Sequence, residues 1–251
     1  MYGNLMKKFV PLPKIEGFEN YLFVGPHPDD IEVACAPTAA KLVAAGKKVT
    51  FLVATDGRAG TTDPGMEEEK LVQIRRKEAE NSAKLLGADI FFLDYRDGGM
   101  YSAEDLAKSI AKKIVGVKPQ MVFAPDPNTR SECHPDHIKT GEATLWAATL
   151  SGFCGFTKLA GAKGVHSVDA VALYFTDRPN AFVSIKKFSR MRKKCLELFP
   201  SQFGESDLNM LGRYLSLREI GLGLPRFMGR ADGYRVMAAV HMHCVPEASK
   251  W

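Results

Sequence analysis

Cysteine is scarce and poorly spaced for cross-linking: five occur in 251 residues, at positions 35, 133, 154, 195 and 244, an odd number without C-x-x-C spacing. That pattern excludes a disulfide scaffold and a four-thiolate zinc module. With no secretory leader read at the N-terminus, it sets the expectation of a reducing cytoplasm. Long apolar runs are missing too. The longest uncharged stretch, 143–157, contains Thr, Ser and Gly and falls short of the ~18 apolar residues of a membrane span, so no membrane partner is expected. There is no repeat, no low-complexity tract and no G-x-x-x-x-G-K-[ST] loop for nucleotide phosphate. Neither sign of charge dominates: 34 Lys and Arg against 29 Asp and Glu leave +5, too little to require a nucleic-acid partner.

What remains is an ordinary globular composition, with 45% hydrophobic and 25% charged residues. A chain of this length hides roughly 70 to 75% of its unfolded surface, enough for a core and a pocket in one domain over residues 1–251. After a mixed N-terminal arm ending near Glu19, short β-rich runs at 21–25, 49–54, 90–93, 121–124 and 170–176 alternate with helical patterns. The helices are expected at 31–45, 67–86, 104–115 and 136–150, the first three stopping before Gly46, Gly87 and Gly116. The alternation predicts an α/β, Rossmann-like fold with a mostly parallel sheet flanked by helices. The core is expected over about 20–180 and a C-terminal extension over about 181–251, joined near 160–166. A last apolar run at 234–243 reads as a strand, and 200–233 as loops and short helices over one edge of the sheet.

The first strand runs directly into Pro26-His27-Pro28-Asp29-Asp30-Ile31-Glu32. In a parallel sheet, ligands bind at the carboxyl ends of the strands, where helix N-termini favour anions. His27, Asp29 and Asp30 therefore belong at the cleft. Taken alone, the segment also suits a plain helix cap with His27 as a surface turn residue. The fourth strand ends similarly, in a polar loop followed by His134-Pro135-Asp136-His137. The topology delivers both motifs to one rim of the sheet. His27, one aspartate and His137 would then form a two-histidine, one-carboxylate set with room for water, the composition of a catalytic metal site.

These residues resemble the LmbE-like, or PIG-L, family of zinc-dependent deacetylases acting on N-acetylglucosamine derivatives. The resemblance extends to Thr55-Asp56-Gly57, Gly60-Thr61-Thr62-Asp63, Ile74-Arg75-Arg76-Lys77-Glu78 and Tyr95-Arg96-Asp97. Ser201-Gln202-Phe203 and Gly233-Tyr234-Arg235-Val236-Met237 look most like the branch acting on N,N'-diacetylchitobiose. It implies a hydrolase that releases acetate and a free amine. One zinc ion per subunit is implied, on His27, Asp30 and His137, with Asp29 as general base and His134 supporting the transition state. Arg75 and Asp97 are implied as substrate contacts, His243 as a residue that lines the pocket or reaches a neighbouring subunit, and the assembly as a homo-oligomer, a hexamer in that branch. The chemistry is consistent: zinc polarises an amide carbonyl and lowers the pKa of water from about 15.7 to about 7. An aspartate at its ordinary pKa of ~3.9 is ionised at neutral pH and takes up the proton, while a protonated His134 donates to the oxyanion. Either Asp29 or His134 then protonates the leaving amine. The alternatives are another N-acetylglucosamine conjugate, thiol-precursor or lipid-linked, or phosphoester hydrolysis, which commonly uses two metals about 3.5 to 4 Å apart.

Several residues carry a plainer alternative. Arg75 can pair with Glu78 along one helix face, and Asp97 can serve as a turn residue before Gly98-Gly99. His241 and His243 alternate along the expected last strand and so share a face. The basic run Lys186, Lys187, Arg190, Arg192, Lys193 and Lys194 reads as a solvated helix face or an oligomer rim. Cys133, directly before His134, is a competent zinc ligand as a thiolate, but two histidines and an aspartate already account for the motif. Cys133→Ala is therefore expected to retain its full metal content when the purified protein is assayed by elemental analysis.

Overall fold

The computed structural model describes residues 8–251. The first half is built of β1 (Asn20–Gly25), α1 (Asp30–Ala44), β2 (Lys48–Thr55), α2 (Glu68–Leu86), β3 (Asp89–Tyr95), α3 (Ala103–Val117), β4 (Met121–Pro125) and α4 (Pro135–Leu150). There follow α5 (Cys154–Leu159), β5 (Ala170–Tyr174), β6 (Ala181–Ser184), α6 (Ser189–Leu196), α7 (Glu205–Gly223) and β7 (Ala231–Ala238). One seven-stranded sheet has the order β3-β2-β1-β4-β5-β7-β6. The strands from β3 to β5 are parallel; β7 runs antiparallel to both β5 and β6. The segment 160–166 leads directly into β5, and β6 and β7 complete the same sheet, so the extension is built onto the core.

Period-two alternation in the central strands feeds two cores. Tyr21, Phe23, Phe51, Phe123, Ala172 and Tyr234 face α1 and α6, whereas Leu22, Val24, Leu52, Val122 and Leu173 face α3 and α4. Phe123 stacks on Phe23 with ring centroids 4.1 Å apart and meets Tyr234 edge-on at 5.2 Å. This aromatic layer lies under β1 and β4, the adjacent strands whose following helices leave in different directions along the sheet. Ligand crevices of open α/β sheets form at that switch point.

Four boundaries differ from expectation. Gly46 (φ +78°) and Gly87 (φ +76°) follow α1 and α2 as expected, but α3 continues through Gly116 to Val117. It stops at Lys118, φ +55°, because Pro119 cannot extend it; the Asn20 amide donates to the carbonyls of Val117 and Lys118 at 2.7 and 2.9 Å. Strand β5 ends at Tyr174 because Phe175 is left-handed at φ +54°. The 200–233 region contains a 19-residue helix, α7. Its apolar residues lie on two faces, Leu215 buried and Met210, Tyr214 and Leu217 exposed, which blurs the single stripe that reveals a helix. Finally, β7 ends at Ala238 and a 3-10 turn carries Ala239–Met242. His241 and His243 therefore do not alternate along a strand: His241 is buried and His243 exposed.

Truncating the stacked ring beneath the two central strands tests how far the aromatic layer holds the sheet. Phe123→Ala is expected to cost about 3 to 5 kcal/mol in urea unfolding.

Candidate metal centre

The loop after β1 is tightly constrained. A Cβ on Gly25 would lie 2.7 Å from Ile31 Cγ1, so glycine lets the strand turn close over the start of α1. Thr55, through its backbone N–H and its hydroxyl, donates to the Pro26 carbonyl at 2.9 Å in both cases, tying the loop to β2. Asp29 then takes φ 128° and ψ −26°, a backbone state that side chains rarely occupy and that is associated with sites where geometry is imposed.

The two motifs meet as the topology requires. His27 Nδ1 lies 3.0 Å from Asp30 Oδ2, and His137 Nε2 lies 3.4 Å from Asp30 Oδ1. The facing nitrogens and carboxylate of these three residues form a compact group able to hold a metal ion. The other nitrogen of His27, Nε2, lies 3.2 Å from Asp97 Oδ1 and 3.2 Å from Asp136 Oδ2. Asp136 is fully buried, accepts from the Gly98 N–H at 2.9 Å and leaves Oδ1 without a hydrogen-bond partner. Burial opposes protonation of His27, yet its hydrogen bonds to Asp136, Asp30 and Asp97 carry its pKa up to about 12. Asp30 is held well below the usual carboxylate range against its burial, by the charge and hydrogen bond of His137 and by His27. The carboxylates thus favour positive charge on the facing imidazoles. A divalent cation would supply that charge to hard oxygen and imidazole donors, so the residues fit a metal.

Asp29 lies beside this group with Oδ2 3.1 Å from Arg75 Nη2. Burial and the charge of Asp30 push its carboxyl up to about 8, only partly offset by Arg75, well above the ordinary aspartate value assumed from sequence. Arg75 also departs from expectation. It is 3% exposed, and its guanidinium donates to Asp29, to the Pro28 carbonyl at 2.9 Å and to the Gly57 carbonyl at 2.8 Å. A Cβ on Gly57 or Gly60 would sit 2.7 or 2.3 Å from Arg75 Nη1, so the two glycines form its cradle. Its Nη1 and Nη2 partners are protein groups, while Nε has no hydrogen-bond partner. It does not pair with Glu78 either, because that carboxylate accepts from the Ser201 N–H and hydroxyl at 2.9 and 2.5 Å.

Asp97 is likewise turned inward. Its Oδ2 accepts from the Ala59 N–H at 3.1 Å while Oδ1 faces His27, so its contacts orient an imidazole rather than form an open substrate contact. His134 caps α4, with Nδ1 accepting from the Asp136 N–H at 3.3 Å, which leaves Nε2 to carry the proton. Burial and the neighbouring imidazoles of His27 and His137 lower its pKa, so the ring holds a proton less readily than an ordinary histidine. His243 lies elsewhere. Ala238 pairs with Ala170 at the start of β5, so the chain leaves β7 at the opposite rim of the sheet from His27 and His137. Within this chain His243 does not reach the centre. Cys133 is exposed, with Sγ 3.7 Å from the Ser131 carbonyl and outside both groups of potential ligands. Two residues given no role from sequence belong here: Asp136, whose only signal is its place between His134 and His137, and Glu132, with Oε2 3.1 Å from His137 Nδ1.

A cavity of about 430 Å³ adjoins the His137 side, walled by Thr129, Phe175, Tyr214 and Arg218. Phe175 lies face-on to His137, with centroids 6.0 Å apart. A larger cavity of about 660 Å³ lies along α4 and β7 beside Trp146 and Met242, and none of the clustered His or Asp residues lines it. It is remote from the chemistry despite its size.

Diacetylchitobiose deacetylase of Thermococcus kodakarensis is 32% identical over 232 residues, 90% of this chain and 86% of that protein. The structure of N,N'-diacetylchitobiose deacetylase from Pyrococcus horikoshii, complexed with its inhibitor MPG, superposes with a TM-score of 0.90 at 30% identity, covering 98% of this chain and 94% of that one. A 1D-myo-inositol 2-acetamido-2-deoxy-alpha-D-glucopyranoside deacetylase of Kineococcus radiotolerans is 29% identical over 183 residues, 60% of this chain and 50% of that protein. The family model described as PIG-L, GlcNAc-PI de-N-acetylase, matches residues 22–148, the span containing both His-Asp loops, and the chain belongs to that family.

Proposed function

We propose that the protein is a zinc-dependent amidohydrolase that removes the N-acetyl group from an N-acetylglucosaminide of the diacetylchitobiose type, giving acetate and the free amine. The observation that carries this reading is the convergence of His27, Asp30 and His137 on one point with a separate carboxylate, Asp29, alongside. Zinc held there would polarise the acetyl carbonyl and acidify water. The chain supplies the rest. Arg75 fixes Asp29 Oδ2, which leaves Oδ1 to take the proton of the attacking water. A cation held by Asp30 would offset that carboxylate's charge, one of the influences that raise the Asp29 pKa together with burial and Glu32, and so would favour the ionised Asp29 that accepts a proton. His134 Nε2–H donates to the developing oxyanion, a contribution of about 2.7 to 4 kcal/mol for a well-placed donor. Asp29 then returns its proton to the leaving amine.

Asp97 and Asp136 serve His27. A metal-bound histidine commonly gives its other N–H to a carboxylate, which sets the ring's orientation and tautomer. This also distinguishes the reading from a two-metal phosphoesterase. The second group of potential ligands, His27, Asp97, His134 and Asp136, shares only His27 with the first. Ions bound to opposite nitrogens of one imidazole would stand about 6 Å apart, given zinc–nitrogen bonds of about 2.0 to 2.1 Å. Two-metal phosphoesterases hold theirs at about 3.5 to 4 Å.

The remainder of the sugar lies along the cavity beside Phe175, where Tyr214 offers a ring face and Arg218 a guanidinium. A homo-oligomer accounts for the exposed Met210, Tyr214 and Leu217 of α7, with Leu224 and the fully exposed Phe227 beyond its end. No helix among the described residues is long and apolar enough to cross a membrane, and the scattered free cysteines suit a reducing cytoplasm.

The decisive experiment couples metal analysis of the purified protein to acetate release from diacetylchitobiose and N-acetylglucosamine, with a phosphomonoester as comparator. Acetate without phosphate is the expected result; phosphate release alone overturns the proposal. Asp29→Ala should retain zinc and lose about 10²- to 10⁴-fold in turnover, whereas Asp30→Ala and His137→Ala should lose metal as well. Asp136→Asn should weaken zinc binding by about 10- to 100-fold in a chelator competition.

A further inference from the structure

Helix α1 contains a proline in its interior, Pro37. An α-helix bonds the N–H of residue i to the carbonyl of residue i−4, so Pro37 removes the donor that would serve Val33, and its ring crowds that same carbonyl. The Val33 carbonyl is not left unpaired. Arg192, from α6, donates to it through Nη1 at 2.8 Å. The basic run suggests a solvated face for this residue, yet Arg192 is 4% exposed. It is locked on its other sides, with Nε 3.1 Å from Glu219 Oε1 of α7 and Nη2 2.5 Å from Asp232 Oδ1 of β7. Asp232 in turn accepts from Thr38 of α1 at 2.7 Å.

The peptide that Arg192 holds belongs to the first turn of α1. The Val33 N–H donates to the Asp29 carbonyl at 2.9 Å, and Asp29 is the residue held at φ 128° beside the metal ligand Asp30. We infer that Arg192 is a positioning residue of the metal-binding turn. Its guanidinium replaces the helix hydrogen bond that Pro37 removes, and the fixed Val33 peptide keeps Asp29 and Asp30 in register with His27 and His137. The C-terminal elements α6, α7 and β7 are thereby connected to the centre through one side chain. This rests on the metal-centre reading for its consequence, but the Arg192–Val33 link stands on geometry alone.

The test is a cycle on the full-length protein: Arg192→Lys, Pro37→Ala and the double variant. Lysine keeps a positive charge near Glu219 and Asp232 but offers one nitrogen where the guanidinium serves three directions. Arg192→Lys should speed amide hydrogen exchange at Val33 by about tenfold or more and weaken zinc binding by about 10- to 100-fold. Adding Pro37→Ala supplies an N–H to Val33 and should return both quantities to within about threefold of the Pro37→Ala single variant. A general loss of packing would not be repaired by a change at position 37. The proposal is overturned if Arg192→Lys leaves Val33 exchange unchanged, or if adding Pro37→Ala fails to restore it in a protein that keeps its near-ultraviolet circular dichroism. Should Arg192→Lys unfold, Asp232→Asn loosens the anchor of the guanidinium, and the same rescue or its failure decides. If the wild-type protein takes up no zinc, the metal-centre reading fails while the exchange measurement still judges the link.

Discussion

Four aspartates, 29, 30, 97 and 136, crowd one end of the sheet within reach of His27, and that concentration of negative charge is the constraint on which the centre depends. At an effective dielectric near 20, two unit charges 4 Å apart repel by about 4 kcal/mol, so several carboxylates are tolerable here only with compensating cations. Arg75 is committed to Asp29 and to two carbonyls. The rest must come from the imidazoles or from a bound ion. His27 stands between the two acidic pairs, with Asp30 on one ring nitrogen and Asp97 and Asp136 on the other. Such a ring is held in a fixed orientation by protein groups, which would limit the ordering that binding an ion imposes.

Topology makes the crowding possible. Strands β1 and β4 are neighbours at the switch point of the sheet, so the loop after one and the helix start after the other are close although more than one hundred residues separate them. Small residues then set the final ångströms. Gly25 lets the first loop fold over Ile31, Gly57 and Gly60 leave room for the Arg75 guanidinium, and Gly98 provides the N–H that Asp136 accepts. The aromatic layer beneath β1 and β4 gives these loops a rigid base.

Much of this is legible from residues alone, for a physical reason. The parallel strands are buried on both faces and read as apolar runs, and a His-Pro-Asp-Asp or His-Pro-Asp-His segment at a strand end is hard to explain except as a site. What escapes is information carried by the third dimension. Charge and nearness to the motifs suggest that Arg75 and Asp97 face substrate, yet both are turned onto protein groups. His243 lies at the opposite rim within one chain because the direction of β7 decides which rim its end reaches, and an apolar run does not encode direction. Helix α7 is hidden by carrying apolar residues on more than one face, and Arg192 by lying in a run of basic residues whose other members suggest solvent.

The C-terminal elements consequently cannot be treated as decoration on a nucleotide-binding-like core. Strands β6 and β7 extend the sheet past β5, and the carboxylates of Glu219 and Asp232 both neutralise Arg192, which would be costly to bury alone. Breaking such a buried group is far more damaging than its net contribution suggests, because Asp232 loses its cation and Glu219 keeps only Arg230. A proline in α1 would ordinarily weaken the helix that carries Asp30; here it exposes a carbonyl that the extension grips. The weak point of the helix is therefore also its attachment point, and the rigidity of the acidic cluster depends on residues far along the chain, as the separations of 159 and 194 residues across the Arg192–Val33 and Thr38–Asp232 bonds show.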